Sequence, residues 1–142
     1  MLSIIIPTYN VVEYIEECLD SIESQNALRN IEYEVILGVD NCEKTLAKIQ
    51  EIRHKYTNLR VIYMDSNKGL FITLNTLISI SKYKYLLKFD ADDIMNPNLV
   101  ETIWKHREDY DIIRFGYTLY YSENDKSTPS TRCANGVYLV NS

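Results

Sequence analysis

The chain carries little that would hold it together covalently or draw it to a polyanion. Its three cysteines, Cys18, Cys42 and Cys133, are an odd number without CxxC or Cys/His spacing, which excludes a disulfide framework and a structural zinc site and fits a reducing, cytoplasmic setting. Positive charge is also scarce. Fifteen Lys and Arg against 20 Asp and Glu leave a formal charge of −5, which argues against nucleic acid as a partner, because that binding relies on clustered cations over phosphates. No long hydrophobic run is present. The short run Leu2 to Ile6 is stopped by Pro7 and has no basic residue before it, so neither a signal peptide nor a transmembrane segment is expected, and any membrane contact would be at the surface. Internal repeats and low-complexity tracts are lacking too. At 142 residues, a single domain is expected, large enough to bury about two-thirds of its unfolded surface.

What is present is an alternation of strand and helix signals. Leu2-Ser3-Ile4-Ile5-Ile6 reads as a central parallel strand closed by Pro7. Asn10, with Glu13 three residues on, is a helix N-cap candidate, and Ile15, Cys18, Leu19 and Ile22 recur at helical spacing. After a polar break from Ser24 to Glu32, Tyr33 to Val39 is a second strand ending in Asp40. Lys44 to Tyr56 is expected to be a helix with Leu46, Ile49, Arg53 and Tyr56 on one stripe, and Leu59 to Tyr63 a third strand. The turn-forming cluster Asp65 to Gly69 leads into Phe71, Leu74, Leu77 and Ile78 at helical spacing. Lys84 to Phe89 is a fourth strand, and Asn96-Pro97 starts a fourth helix with Val100, Ile103, Trp104 and Arg107 on one side. These βα units, to about residue 110, indicate an α/β fold with a mostly parallel sheet covered by helices. Residues 111–142 read as an antiparallel addition: strands at Asp111 to Gly116, Tyr117 to Tyr121 and Val137 to Val140, with a mobile polar loop from Ser122 to Gly136.

In such a topology the loops after the strands gather at one edge of the sheet, where ligands bind. Thr8, Asp40, the Asn67 turn and Asp90-Ala91-Asp92-Asp93 all fall there. Taken singly, Thr8 is a turn hydroxyl, Asp40 a helix cap, Gly69 a bend and the acid cluster a solvated turn before the next helix. Taken together, they form a crevice suited to a nucleotide. An acid accepts a base N–H, a hydroxyl holds the base edge, and carboxylates this close tolerate one another through a shared proton or a cation that also holds a pyrophosphate. The twelve tyrosines read first as strand and core residues and second as stacking surfaces for bases or sugars. His54 and His106 fall on helices away from the strand ends, and Cys42 has no His in its pattern to make it a nucleophile.

Ser3-Ile4-Ile5-Ile6-Pro7-Thr8-Tyr9-Asn10, Val39-Asp40-Asn41, Asn67-Lys68-Gly69 and Phe89-Asp90-Ala91-Asp92-Asp93 occur in the order and spacing that resemble the family 2 glycosyltransferases of the GT-A fold. The resemblance covers residues 2 to 120 and implies a Rossmann-like nucleotide-sugar-binding domain, as a donor-binding N-terminal part or a short member. It implies transfer of a sugar, with inversion, from a nucleoside-diphosphate sugar, in first place a UDP-sugar, to a saccharide or other hydroxyl acceptor. By this likeness Thr8 and Asp40 contact the base, and Pro7 and Tyr9 shape that side of the pocket. Asn67, Lys68 and Gly69 line the donor crevice, where Lys68 adds a charge toward phosphate. Asp90-Ala91-Asp92 resembles the DxD motif, in which Asp90 approaches the ribose or the metal and Asp92 coordinates Mn²⁺ or Mg²⁺. Carboxylate oxygens suit such hard ions, and a cation there stabilises the departing diphosphate.

The chain also departs from the family pattern. Asn41-Cys42-Glu43 stands where Asp-Gly-Ser is frequent, and Thr73-Leu74-Asn75 where Ala-Arg-Asn is frequent, so an arginine contact to the donor is missing. No Glu-Asp pair follows Asp111, which leaves the general base unassigned among Asp93, Glu123 and Asp125. Two rival readings follow: a module that binds the donor without transferring its sugar, and, remotely, a haloacid-dehalogenase-like phosphatase using Asp90 as nucleophile.

Overall fold

The computed structural model describes residues 1–116 and 137–140. Its elements in chain order are β1 (Leu2–Thr8), α1 (Ile15–Glu23), β2 (Tyr33–Asp40), α2 (Glu43–Ile52), β3 (Leu59–Met64), α3 (Leu70–Ile80), β4 (Tyr85–Lys88), α4 (Leu99–His106), β5 (Ile112–Phe115) and β6 (Val137–Val140). The fold is α/β. The first four strands form one parallel sheet in the order β3-β2-β1-β4, which places the apolar β1 in its interior. Ile5 and Ile36, opposite each other in β1 and β2, pack with Leu77 of α3, while Ile4 and Ile6, pointing to the other face, are fully buried as well.

β1 does not stop at Pro7 but continues through it to Thr8. Leu2 donates its N–H to Glu32, and the Ile5 carbonyl accepts from Phe89, so alternate residues of β1 address β2 and β4. Pro7 is in phase with Ile5, and the β1–β4 pairing ends at Ile5 opposite Lys88. Its missing N–H therefore faces a position that has no strand to pair with.

Three helices depart from the periodicity. α1 begins at Ile15, not after Asn10, and Tyr14 at its cap position makes no side-chain capping bond. Asn10 instead takes a left-handed φ of 55°, which Asn tolerates better than most residues. The following turn is held by the Val11 N–H on Thr45 Oγ1 at 3.2 Å, a tertiary contact invisible to local spacing. α2 ends at Ile52 and tightens into a 3₁₀ turn over Arg53–Lys55. The buried stripe is Thr45, Ile49, Ile52 and Tyr56, itself at three- and four-residue spacing, and Arg53 lies outside it. α3 buries Thr73 and Leu77, whereas Phe71, 79% exposed, and Ile78 face outward. The helix is apolar nearly all round, so spacing could not select its inner face.

The start of α4 is set by Asn96, whose Oδ1 accepts the Asn98 N–H at 3.1 Å, and by Gln25. The buried Gln25 amide donates to the Asn96 carbonyl at 2.8 Å and accepts from the Val100 N–H at 3.2 Å. The polar break after α1 thus contains an internal strut. Residues 1–100 form one compact unit and residues from Glu101 onward a second. In the second, β5 and β6 pair antiparallel, Ile112 opposite Val140, as the sequence suggests for the C-terminal addition. The strand expected at Tyr117–Tyr121 and the loop expected at Ser122–Gly136 lie outside the described residues. Among the described residues no helix is long and apolar enough to cross a membrane.

At the edge of the sheet away from the candidate crevice, Glu34 is buried in β2 and collects three donors: the Ser3 hydroxyl at 2.7 Å, the Lys82 N–H at 2.6 Å and Arg60 at 2.5 Å. Burial pushes its carboxyl up, but the bonds from Lys82, Ser3 and Arg60 more than offset this and hold it below the ordinary value. Because the folded carboxyl is the stronger acid, its stabilisation is present above the unfolded pKa of about 4.3 and is lost as pH falls through the lower folded value. Glu34→Ala is expected to cost about 2–4 kcal/mol in urea denaturation at pH 7 and to flatten the acid limb of the stability curve. Glu34→Gln, which keeps one acceptor, is expected to cost less.

Candidate functional site

The candidate site is built on a carboxylate at the end of β2. Asp40, 5% exposed, accepts the Lys68 N–H on Oδ1 at 2.7 Å and the Gly69 N–H on Oδ2 at 2.8 Å. It thereby fixes the turn that leads into α3. Gly69 takes a φ of 78°, a conformation that glycine enters without steric cost. Gly38, two residues before Asp40, lets α3 lie directly on β2, since a Cβ there would stand 2.8 Å from Thr73 Cγ2. A glycine inside a strand of bulky residues is the sequence signal for such a close approach.

Next to this clamp, Thr8 closes β1. It is 2% exposed, and its hydroxyl donates to the Gly38 carbonyl at 3.1 Å. With its proton committed, Thr8 presents only lone pairs to its surroundings. Asp40 also retains acceptor capacity, since two ionised oxygens offer about four sites and two amides use half of them.

Above these residues lies a cavity of about 240 Å³. Pro7 and Thr8 wall it from β1, Tyr9 from the residue after it and Asp40 from β2, while Asn67, Gly69, Leu70 and Thr73 close it from the turn and α3. Six residues selected from the sequence, Pro7, Thr8, Tyr9, Asp40, Asn67 and Gly69, are thus brought together. Lys68 takes part through its backbone amide, and its ammonium pairs with Asp65 at 3.4 Å instead of entering the cavity. Leu70 and Thr73 were missed by sequence reasoning. Their signal was positional: they occupy the first turn of a helix that starts at the ligand-binding edge.

Asp90, Ala91, Asp92 and Asp93 do not line this cavity. They follow β4 directly, where the Phe89 N–H on the Ile5 carbonyl keeps the segment beside β1, and a turn is closed by the Asp93 N–H on the Asp90 carbonyl. Ala91 is buried, and Asp92 is exposed. Lys88 Nζ holds both Asp90 oxygens, at 2.5 and 2.6 Å, a partner that strand alternation puts on the same side. Below the turn, the buried Cys18 thiol points at the Asp90 carbonyl, 3.6 Å away, and is pushed up to about 12 by burial and by Asp93, Asp92 and Asp90. The same crowding acts on Asp93, whose carboxyl is raised by burial and then by Asp90 and Asp92. Among the described residues no group of three or more His, Cys, Asp and Glu is arranged to hold a metal ion. A Mg²⁺-type ion needs no such group, because one or two carboxylates suffice when phosphate oxygens and water complete its shell. The hard oxygens of Asp92 and Asp90 fit that requirement.

Residues 3–138 match the family described as Glycosyl transferase family 2. The chain belongs to that family. Among curated relatives of this family 2 domain, the glycosyltransferase GlyG of Streptococcus pneumoniae is 30% identical over 88% of this chain and 41% of its own length. The poly(ribitol-phosphate) beta-glucosyltransferase of Bacillus spizizenii is 36% identical over 65% of this chain and 15% of its own. The domain therefore spans well under half the length of these relatives. Residues 1–349 of S. aureus TarS, solved with UDP-GlcNAc, superpose with a TM-score of 0.70 at 25% identity, covering 91% of this chain and 37% of that one. A Pyrobaculum calidifontis mannosyltransferase, solved with GDP-Man and Mn²⁺, has a TM-score of 0.68 at 23% identity over 73% of this chain and 31% of that one, a likeness of fold.

Since Asp40 accepts two otherwise orphan amides in a family 2 domain whose next helix begins there, Asp40→Ala is expected to cost about 2–3 kcal/mol of stability in chemical denaturation. Hydrogen exchange of the Lys68 and Gly69 amides is expected to accelerate more than that of the β1–β2 ladder.

Proposed function

We propose that this chain is the donor-binding domain of a metal-dependent, inverting glycosyltransferase. It would take a nucleoside-diphosphate sugar, in first place a UDP-sugar, and pass the sugar to a saccharide or other hydroxyl acceptor, in the cytoplasm or at a membrane surface. The observation that carries the reading is the cavity over Thr8 and Asp40, bounded by a helix start and walled by buried acceptors at the carboxyl ends of β1 and β2. Its volume of about 240 Å³ lies below the ~300–1,000 Å³ of sites that enclose a drug-sized ligand. That suits the flat base alone, with ribose, diphosphate and sugar extending along the edge toward Asp90 and Asp92.

In this reading Asp40 and Thr8 receive base N–H groups, Pro7 and Tyr9 flank the ring, and Asn67 and Gly69 bound the far side. Ala91, buried in the turn between the two acids, sets their spacing. A Mn²⁺ or Mg²⁺ held by Asp92 and Asp90 would act as a Lewis acid for the charge that develops on the departing nucleoside diphosphate. The mannosyltransferase of this fold holds Mn²⁺ with its nucleotide sugar, which supports the assignment. With a cation held there, Asp90 would give up its Lys88 partner, and the Lys88 ammonium would be available at the same edge for phosphate.

A second reading is donor binding without transfer by residues 1–142 themselves, since their stretch 111–142 contains no Glu-Asp pair to act as general base. One set of measurements separates the readings. UDP-, GDP- and dTDP-sugars are titrated calorimetrically with and without Mn²⁺, and UDP release is followed. Mn²⁺-dependent binding of a UDP-sugar, weakened at least 10-fold by Asp92→Asn with unchanged folding, is expected. UDP release in the presence of a hydroxyl acceptor would decide for transfer. Binding of none of the three donors would sink both readings.

A further inference from the structure

Thr73 is the buried polar side chain of the described cavity wall that has no hydrogen-bond partner. It sits in the first full turn of α3, with no exposed surface. Its methyl group lies against Gly38, so close that a Cβ on that glycine would meet Cγ2 at 2.8 Å. Its hydroxyl is buried and has no hydrogen-bond partner, the single buried side-chain polar atom in that state among the described residues. A threonine in a helix ordinarily settles its hydroxyl on the carbonyl three or four residues back. The Gly69 carbonyl accepts the Thr73 N–H, yet the Thr73 hydroxyl is not bonded to it. An unsatisfied buried hydroxyl lowers stability, and valine, of nearly the same shape, would avoid that loss.

The other two buried polar side chains of the wall share one character. Thr8 has given its proton to Gly38, and Asp40 is an acceptor by charge. The Thr73 hydroxyl is the complementary group: a rotatable donor with nothing to donate to, in a cavity wall whose other buried polar side chains, Thr8 and Asp40, offer acceptors, while Asn67 and Tyr9 are exposed. An acceptor next to a donor matches a heterocycle edge in which an N–H adjoins a C=O, as in uracil. The edge of cytosine, with a bare ring nitrogen beside an amino group, presents the reverse pattern.

We propose that Thr73 is a specificity-determining residue of the donor site, donating its hydroxyl proton to the ring carbonyl of a base whose neighbouring N–H is taken by Asp40. The proposal rests on the donor-binding reading above. It adds a contact made by the helix that follows the turn, and the direction of selection, imide edge over amidine edge.

The test uses Thr73→Val, Thr73→Ala and Thr73→Ser in the full chain, with UDP, UMP and CDP as probes by calorimetry and thermal unfolding without ligand. Thr73→Val is expected to weaken UDP and UMP about 5-fold, the worth of one neutral hydrogen bond, with or without Mn²⁺, while CDP binding, weak from the start, stays unchanged. The same variant is expected to raise the melting temperature of the free protein by about 3 °C, because an orphan hydroxyl has been removed. Thr73→Ser, which keeps the donor, is expected to bind UDP like the parent. Thr73→Ala repeats the binding loss if valine disturbs the packing against Gly38. A merely structural threonine would move stability and leave the UDP to CDP ratio untouched, and that result overturns the proposal while the donor reading stands. A parent protein that binds no nucleotide overturns both.

Discussion

The carboxylate of Asp40 on the two amides of the Lys68-Gly69 turn is the contact on which the rest of the site depends. It joins the end of one strand to the beginning of a helix 29 residues later in the chain, so the spacing of the cavity walls follows from one bonded geometry. Charge-assisted bonds from two amides are stronger than neutral ones, and Asp40 is 5% exposed, which limits competition from water. Gly38 completes the arrangement from below: the clamp sets where α3 begins, and the missing side chain sets how near it lies.

The cavity and the acidic turn after β4 differ in physical character. The cavity floor at Thr8 and Asp40 is buried, preformed and held by internal hydrogen bonds of these two residues. The acidic end follows a short edge strand, is exposed at Asp92, and has Asp90 committed to Lys88. A rigid end selects a ligand by shape and hydrogen-bond pattern, whereas an exposed ionic end responds to the charge that arrives.

Much of the fold could be read from the chain because the four parallel strands and their helices carry strong periodic patterns, and the acids at the strand ends could be placed by topology alone. What escaped the sequence was tertiary in origin. The start of α1 moved because Val11 bonds Thr45 across the fold, and the face of α3 was undetermined because its apolar residues encircle it. Asp40 could be picked out as a site residue, but nothing local revealed that both of its oxygens hold a turn. Lys88 was overlooked because its role appears only with the two-residue alternation of β4, and Thr73 because its place in the first turn of α3 does not reveal that its hydroxyl lacks a partner.

The proline inside β1 has a consequence for what can be built against this sheet. A parallel edge ordinarily offers a ladder of donors and acceptors that another strand can extend. At Pro7 the ladder lacks a donor on the side where β4 has stopped, so an incoming peptide strand would find one bond fewer there. The end of β1 is thereby a poorer template for chain addition than the rest of the strand, by its own backbone chemistry.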